Sequence, residues 1–367
     1  MSFLNVYEQY QNIDIEKALS AMSPDSVYRS LHKQILSIED FAALISPAAL
    51  KWMENIAQKA HDIKRRYFGN TIHLFTPMYL SNYCNNRCLY CGFNHDVKIE
   101  RYQMTLDEVE KEARVIASTG LKHILILTGD DPKKASMTYL KSCCDVLQKY
   151  FSSISIEIYA LDTKEYENLI KSGVDGLTIY QETYNTELYD KLHPTGPKKN
   201  FRFRLDAPQR GAEAGMRNVT IGTLLGLDSW RKDIFFTALH ASWLEKQYPE
   251  TEISIALPRI QPYYGCYQPE HQVSDQDMVQ IIIAFRLFLP RCGITISTRE
   301  SESFRNNIIK LGVTKLSAGS TTAVGGHSLS NARYHQFEIS DKRSVEQMAL
   351  FLETNNVQPL FKDWERF

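Results

Sequence analysis

The sequence predicts an α/β fold: a (β/α)8 TIM-like barrel over residues 71–367, ending in a C-terminal tail and preceded by an N-terminal helical extension over residues 1–70. Three observations predict it. Strand-like runs alternate with helix-like stretches eight times, helical periodicity precedes the first run, and unusual polar residues gather at the ends of the runs. Such alternation implies a parallel sheet, and eight units can close it into a cylinder. A chain of 367 residues, 43% of them hydrophobic, can bury the core this needs.

The extension comes first. Asp40 to Ile63 carries Phe41, Leu44, Ile45, Trp52, Ile56 and Ile63 at roughly helical spacing, and Gly69 suits the stop. The strand-like runs, rich in β-branched and aromatic residues, are Ile72–Leu80, His123–Thr128, Ile154–Tyr159, Gly176–Gln181, Val219–Leu225, Ile253–Ile260, Ile294–Thr298 and Lys315–Ala318. Among the helices between them, Thr105–Ser118 opens on a capping box of Thr105 and Glu108. The others are Tyr139–Tyr150, Lys164–Lys171, Phe203–Ala214, Trp230–Tyr248, Asp275–Phe288, Phe304–Lys310 and Ser344–Asn355. An open doubly wound sheet is the alternative. The count of eight, and the lack of Gly-x-Gly-x-x-Gly after the first run, favour the barrel. Barrel chemistry collects where strands end, and Asn82, Cys84, Asp130, Glu157, Glu182, Arg259, Arg299 and Ser317 stand there.

A net charge of −1 gives no global field for nucleic acid or an acidic membrane. Met1 to Tyr10 lacks the basic and apolar regions of a signal peptide, and runs such as Ile281 to Ala284 are too short to span a bilayer. A cytoplasmic protein is expected. Of seven cysteines, three lie between Cys84 and Cys91, which in a reducing compartment points to metal rather than disulfides.

Cys84, Cys88 and Cys91, at x3 and x2 spacing in one loop, can converge on one iron–sulfur cubane. Three ligands leave one iron open to chelate a substrate. With His95 as fourth donor the same residues could form a closed Cys3His zinc site, a structural staple without chemistry. Cys143 and Cys144 read as packing residues, and Cys266 and Cys292 are isolated. The triplet followed by Gly92-Phe93 resembles the signature of the radical S-adenosylmethionine (SAM) superfamily. The resemblance implies a [4Fe–4S] cluster whose open iron holds the amino and carboxylate groups of SAM. Reductive cleavage of SAM then yields a 5′-deoxyadenosyl radical.

Motifs along residues 40 to 367 are similar to the 2-iminoacetate synthase family. They include Leu44-Ile-Ser-Pro-Ala48, Phe68-Gly-Asn-Thr71, Tyr79-Leu-Ser-Asn82, Tyr180-Gln-Glu-Thr-Tyr184 and Ile221-Gly-Thr-Leu-Leu-Gly226. Pro258-Arg259, Ser297-Thr-Arg-Glu300, Ser317-Ala-Gly319, Gly325-Gly326 and Lys362-Asp-Trp364 follow in order. The resemblance implies Cα–Cβ cleavage of L-tyrosine to 2-iminoacetate (dehydroglycine) and p-cresol, for the thiazole moiety of thiamine. Thiazole synthase and a reductase or flavodoxin-type electron donor are the implied protein partners.

Arg299 fits the substrate carboxylate as a planar bidentate donor, with Ser317 as a second contact; an ion pair of Arg299 with Glu300 is the competing role. Glu182 and Arg204 resemble the pair that grips the methionyl end of SAM, although Arg204 could instead be a surface residue. Phe93 resembles an adenine contact or belongs to the core. Ile221 and Gly222 would line the adenine with backbone, and Glu157 would hold ribose hydroxyls or cap the barrel rim. Tyr263, Tyr264 and Tyr267 could shape the phenol pocket or pack a loop. Where the family shows Thr-Gly-Glu, this chain reads Thr128-Gly129-Asp130-Asp131, so the contact to the SAM amino group is expected to lengthen, recruit water or move to Asp131. The tyrosine lyase of [FeFe]-hydrogenase maturation is disfavoured, because no cysteine follows Cys292. A tryptophan lyase of the same fold stays open.

Overall fold

The computed structural model describes residues 2–263, 267–329 and 334–362. Eight parallel strands form the barrel: β1 (Thr71–Ser81), β2 (His123–Thr128), β3 (Ser153–Glu157), β4 (Val174–Glu182), β5 (Asn218–Thr223), β6 (Glu252–Ala256), β7 (Gly293–Ile296) and β8 (Lys315–Ser317). Each pairs with the next. β1 joins β8 through His73–Phe75 and β2 through Thr76–Ser81, which closes the cylinder. The strands are near-continuous apolar runs, as burial on both faces requires. Ile124, Ile126, Leu177, Val219, Ile255, Ile294 and Leu316 are fully buried.

A ninth strand, β9 (Gln358–Leu360), was not expected within the tail. It pairs with Thr71–His73 of β1, and the Lys122 amide donates to the Phe361 carbonyl at 2.8 Å just before β2. At the other end of the barrel the ladder slips at Tyr79/Ser81 and at Tyr180/Glu182. A slip of this kind re-aims side chains at a strand end.

The expected helix over Asp40 to Ile63 is broken. Ile38–Ile45 is α-helical, Pro47–Trp52 is a 3-10 turn and Met53–Phe68 is α-helical. The break falls at Ser46, which takes ψ 161 ahead of Pro47 because the proline ring bars it from the helical region. Phe203–Ala214 likewise divides into Phe201–Leu205 and Ala207–Glu213, with Pro208 unable to donate across the join. The short helix Thr186–Leu192, capped by Asn185, escaped the periodicity altogether.

The N-terminal helices pack on the outside of the barrel. Phe41 meets Phe285 and Phe288 at 5.0 Å between ring centroids, so both faces of Asp275–Phe288 are covered. Phe3 stacks on His240 at 3.8 Å, and the Tyr7 hydroxyl donates to the Tyr184 carbonyl at 2.7 Å. Below the active rim, Arg305 and Asp341 form an ion pair, both side chains almost wholly out of water. Arg305 also donates to the Ser317 carbonyl, which ties this pair to β8. Removing one partner of a buried pair strands the other charge, at about 3–5 kcal/mol. Asp341→Ala is therefore expected to lower the thermal midpoint by roughly 6–12 °C. A calorimetric shift under about 2 °C would contradict this account.

Candidate active site at the mouth of the barrel

The loop after β1 has little regular structure, and side chains hold it. The Arg101 guanidinium donates to the carbonyls of Asn82, Phe93, Asn94 and Val97 at 2.7, 2.9, 2.6 and 3.2 Å. Asn82 bridges Glu100 and Tyr102 through both ends of its amide. Gly129 lets the loop lie on the end of β2, since a Cβ there would come within 2.3 Å of the Tyr83 carbonyl oxygen. Gly92 does the same against the Gln336 carbonyl, also 2.3 Å from where its Cβ would sit.

Cys84, Cys88 and Cys91 are drawn together by this packing. Burial pushes the Cys84 thiol up to about 12, with Asp130 and Cys91 adding to the effect. Burial raises Cys88 and Cys91 as well; Lys198 lowers both, while the Phe93 amide donates to Cys91. Three thiols, Cys88 buried and Cys84 and Cys91 half-buried, close enough to repel one another's anions, suit a cationic centre that takes all three. Among the described residues no three His, Cys, Asp or Glu side chains converge on one metal position. The exposed His95 ring lies 3.3 Å from the Cys84 carbonyl.

Two cavities open beside the loop. One descends into the barrel, walled by Phe75, Tyr79, Leu125, Leu127 and Leu257, with Ser297 and Ser317 as polar groups. The other lies under the cysteines and is lined by Tyr90, Cys91, Asp130, Glu182, Lys198 and Arg204. They share Glu157, Tyr180, Pro258, Arg299 and Phe337.

In the second cavity Glu182 is the central anion. It sits at φ 70, a backbone region unfavourable to any residue with a Cβ. Lys198 forms an ion pair with it and Arg204 approaches to 3.6 Å. Burial would raise its pKa, but Lys198 and Arg204 outweigh that and hold it below the usual carboxylate range. Arg204 also donates from Nε to the Tyr180 carbonyl at 2.6 Å, so it is a buried wall residue and not a surface one. Asp130 accepts from Asn86 at 2.6 Å and faces the cavity, whereas Asp131 caps the turn at Lys133 and Lys134. The shorter carboxylate thus keeps its place at the cavity.

In the first cavity Arg299 is half-buried, with its guanidinium 3.3 Å from the centroid of the Phe337 ring. Its hydrogen bond to the Arg259 carbonyl is long, 3.5 Å. Glu300 does not engage it, being held by Arg259 at 2.9 and 3.0 Å. Among the described residues no carboxylate forms an ion pair with Arg299. The Ser317 oxygen accepts from the Thr298 amide at 2.9 Å, which leaves its own O–H to donate. Burial raises the Glu157 carboxyl to about 7, against the pull of Arg299.

The structure thus brings Asp130, Glu157, Glu182, Arg204, Arg299, Ser317 and the three cysteines to one rim. It does not bring Phe93, Ile221 or Gly222 to either cavity wall. The Phe93 ring packs edge-on to Tyr79 at 5.8 Å in the core, and Ile221 lies within β5. At Gly222 a Cβ would meet the Ala256 carbonyl at 2.2 Å, so this glycine serves the packing of β5 on β6. Within the cysteine loop it is Tyr90, between the second and third cysteines, that lines the cavity, in place of Phe93. Sequence reasoning also missed Lys198, Arg101 and Gln336, whose amide donates to the Cys91 sulfur at 3.7 Å. Tyr263 bonds the Leu89 carbonyl and receives the Tyr267 amide. Tyr264, Cys266, Asp363 and Trp364 lie outside the described residues.

Residues 78–235 match the Radical SAM superfamily, and residues 256–358 match the Biotin and Thiamin Synthesis associated domain. The chain is 37% identical to the 2-iminoacetate synthase of Salmonella typhimurium, over 99% of this chain and 97% of that one. It is 35% identical to the Escherichia coli 2-iminoacetate synthase, over 100% and 97%. Among solved structures it is similar to HydG, a maturase of the [FeFe]-hydrogenase, with a TM-score of 0.86 and 28% identity over 97% of this chain and 78% of that one.

The near-neutral Glu157 has a consequence for stability. Its folded pKa, about 7, exceeds the unfolded value of about 4.3, so the folded state loses stability as pH rises between them, and the loss is complete above the window. Glu157→Gln is expected to gain thermal stability relative to the parent between pH 5 and pH 8. Thermal midpoints measured at both would sink the assignment if the difference did not change with pH.

Proposed function

Because the chain belongs to the radical SAM superfamily, and within it to the 2-iminoacetate synthases, we propose the following division of labour for Cα–Cβ cleavage of L-tyrosine. The products are 2-iminoacetate and p-cresol, with 5′-deoxyadenosine and methionine left from SAM. Cys84, Cys88 and Cys91 would hold a [4Fe–4S] cluster, and the adjoining cavity SAM. When bound, these groups would supply a radical able to take hydrogen from the substrate.

The observation that carries the substrate reading is Arg299. It is a half-buried guanidinium at the junction of the two cavities, and among the described residues no carboxylate forms an ion pair with it. A planar fork of donors, partly withdrawn from water, is matched by an amino-acid carboxylate. The Ser317 hydroxyl supports the same group. From there a side chain would run down among Phe75, Leu125, Leu127 and Leu257, apolar walls that suit a phenol ring and exclude water. The amino end would face the junction, toward the SAM cavity. Glu157, which titrates near neutrality, stands at that junction and can hold or take up a proton there. Glu182 and Arg204 would grip the methionyl end of SAM, Asp130 its amino group, and Tyr90 offers its ring to the adenine.

The match to a domain associated with thiamin synthesis supports thiazole synthase as the recipient of the product. A flavodoxin-type donor would supply the electron. A cytoplasmic location is consistent with the six described cysteines all being free. Among the described residues no helix is long and apolar enough to cross a membrane.

Anaerobic reconstitution with iron and sulfide, followed by SAM, tyrosine and a reductant, is expected to give p-cresol without carbon monoxide or cyanide. Arg299→Met removes charge-assisted hydrogen bonds and should lower kcat/KM for tyrosine by about 100-fold, with SAM binding little changed. 3-Methylindole from tryptophan, or carbon monoxide from tyrosine, would assign the chain to another lyase.

A further inference from the structure

Lys198 belongs to no motif, yet the fold holds it firmly. Its amide donates to the Asn86 side chain at 2.9 Å, and its carbonyl accepts from the Tyr189 hydroxyl at 2.6 Å. Gly196 at φ 99 allows the approach, since a Cβ there would lie 2.3 Å from the Asn86 side-chain oxygen. The same asparagine donates to Asp130, so one side chain joins the cysteine loop, the end of β2 and the lysine. The ammonium is 5.6 Å from the centroid of Tyr90, and its field reaches Cys88 and Cys91. It therefore stands on the cysteine side of the cavity, between the thiols and Glu182.

We propose that Lys198 is a further SAM-binding residue, whose ammonium receives the carboxylate of the methionyl end beside the cluster. Two cations meet one anion at Glu182, and they differ in freedom. Arg204 spends Nε on the Tyr180 carbonyl and lies against the wall. Lys198 has Glu182 as its ion-pair partner and three N–H donors, so it can keep that pair and still bind a second carboxylate. A carboxylate chelated at the open iron would lie on this side of the cavity, where a compact cation on a flexible stem meets it. The inference rests on the reading of this cavity as the SAM site.

The test is a binding cycle on reconstituted protein, using SAM and decarboxylated SAM. Lys198→Met is expected to weaken SAM about 10- to 100-fold while changing decarboxylated SAM by less than about twofold, and Lys198→Arg should restore most of the SAM affinity. The SAM-induced change in the electron paramagnetic resonance spectrum of the reduced cluster should then need correspondingly more SAM. Equal weakening for both ligands, or none for either, overturns the proposal. If Lys198→Met loses iron or folds poorly, Lys198→Gln carries the same cycle. A parent protein that binds its cluster but no SAM would overturn the reading of the cavity itself, a result distinct from an additive cycle.

Discussion

The mouth of the barrel depends on keeping Glu182 as an anion out of water. A lone buried carboxylate would take up a proton. Here the ladder slips between Tyr180 and Glu182, the backbone turns to φ 70, and the carboxylate arrives against Lys198 and Arg204. The backbone cost of that turn is of the order of 1–3 kcal/mol and persists because the surrounding contacts over-determine it. Around this pair the other titratable groups settle into definite states. His193 is buried and kept neutral, its pKa lowered to about 3; its Nδ1–H donates to the Tyr189 carbonyl and its Nε2 accepts from the Tyr90 hydroxyl, each at 2.7 Å. Arg204 keeps its charge despite its burial, because the Glu182 carboxylate stands beside it.

The cysteine loop follows a different rule. Without a helix or strand of its own, it borrows order from Arg101, Asn82 and Asn86, and from two glycines where backbone meets backbone. Its thiols are raised far from ionisation by burial. Binding of an iron–sulfur centre and loss of three protons are therefore one linked event. The Gln336 amide on the Cys91 sulfur and the Phe337 ring on Arg299 are consecutive residues, so a single dipeptide touches both cavities.

The barrel could be read from sequence because its eight strands are β-branched runs buried on both faces, and their predicted and observed positions overlap throughout. The cysteines, Glu182, Arg299 and Ser317 announced themselves by residue type at strand ends. Lys198 could not, since Pro197-Lys198-Lys199 has the composition of a solvated turn and its burial comes from Asn86, more than a hundred residues earlier. Phe93 and Tyr90 are both aromatic and both beside a cysteine; which one faces the cavity is decided by the path of an irregular loop. The break at Ser46 was a local signal, a residue before proline, overridden in the reading by apolar spacing on either side.

The contact of Tyr7 with Tyr184 spans 177 residues, and Phe3 waits still longer for His240. The helix Phe3–Tyr10 can thus take its seat only once Tyr184 and His240 are in place. Until those partners are in place, its aromatic face has no native cover behind Tyr184, two residues past Glu182. Non-local pairing of this kind slows folding and prolongs the exposure of sticky surface. The helix behind the strand that presents Glu182 is accordingly held by contacts whose formation must close the long stretch of chain between them.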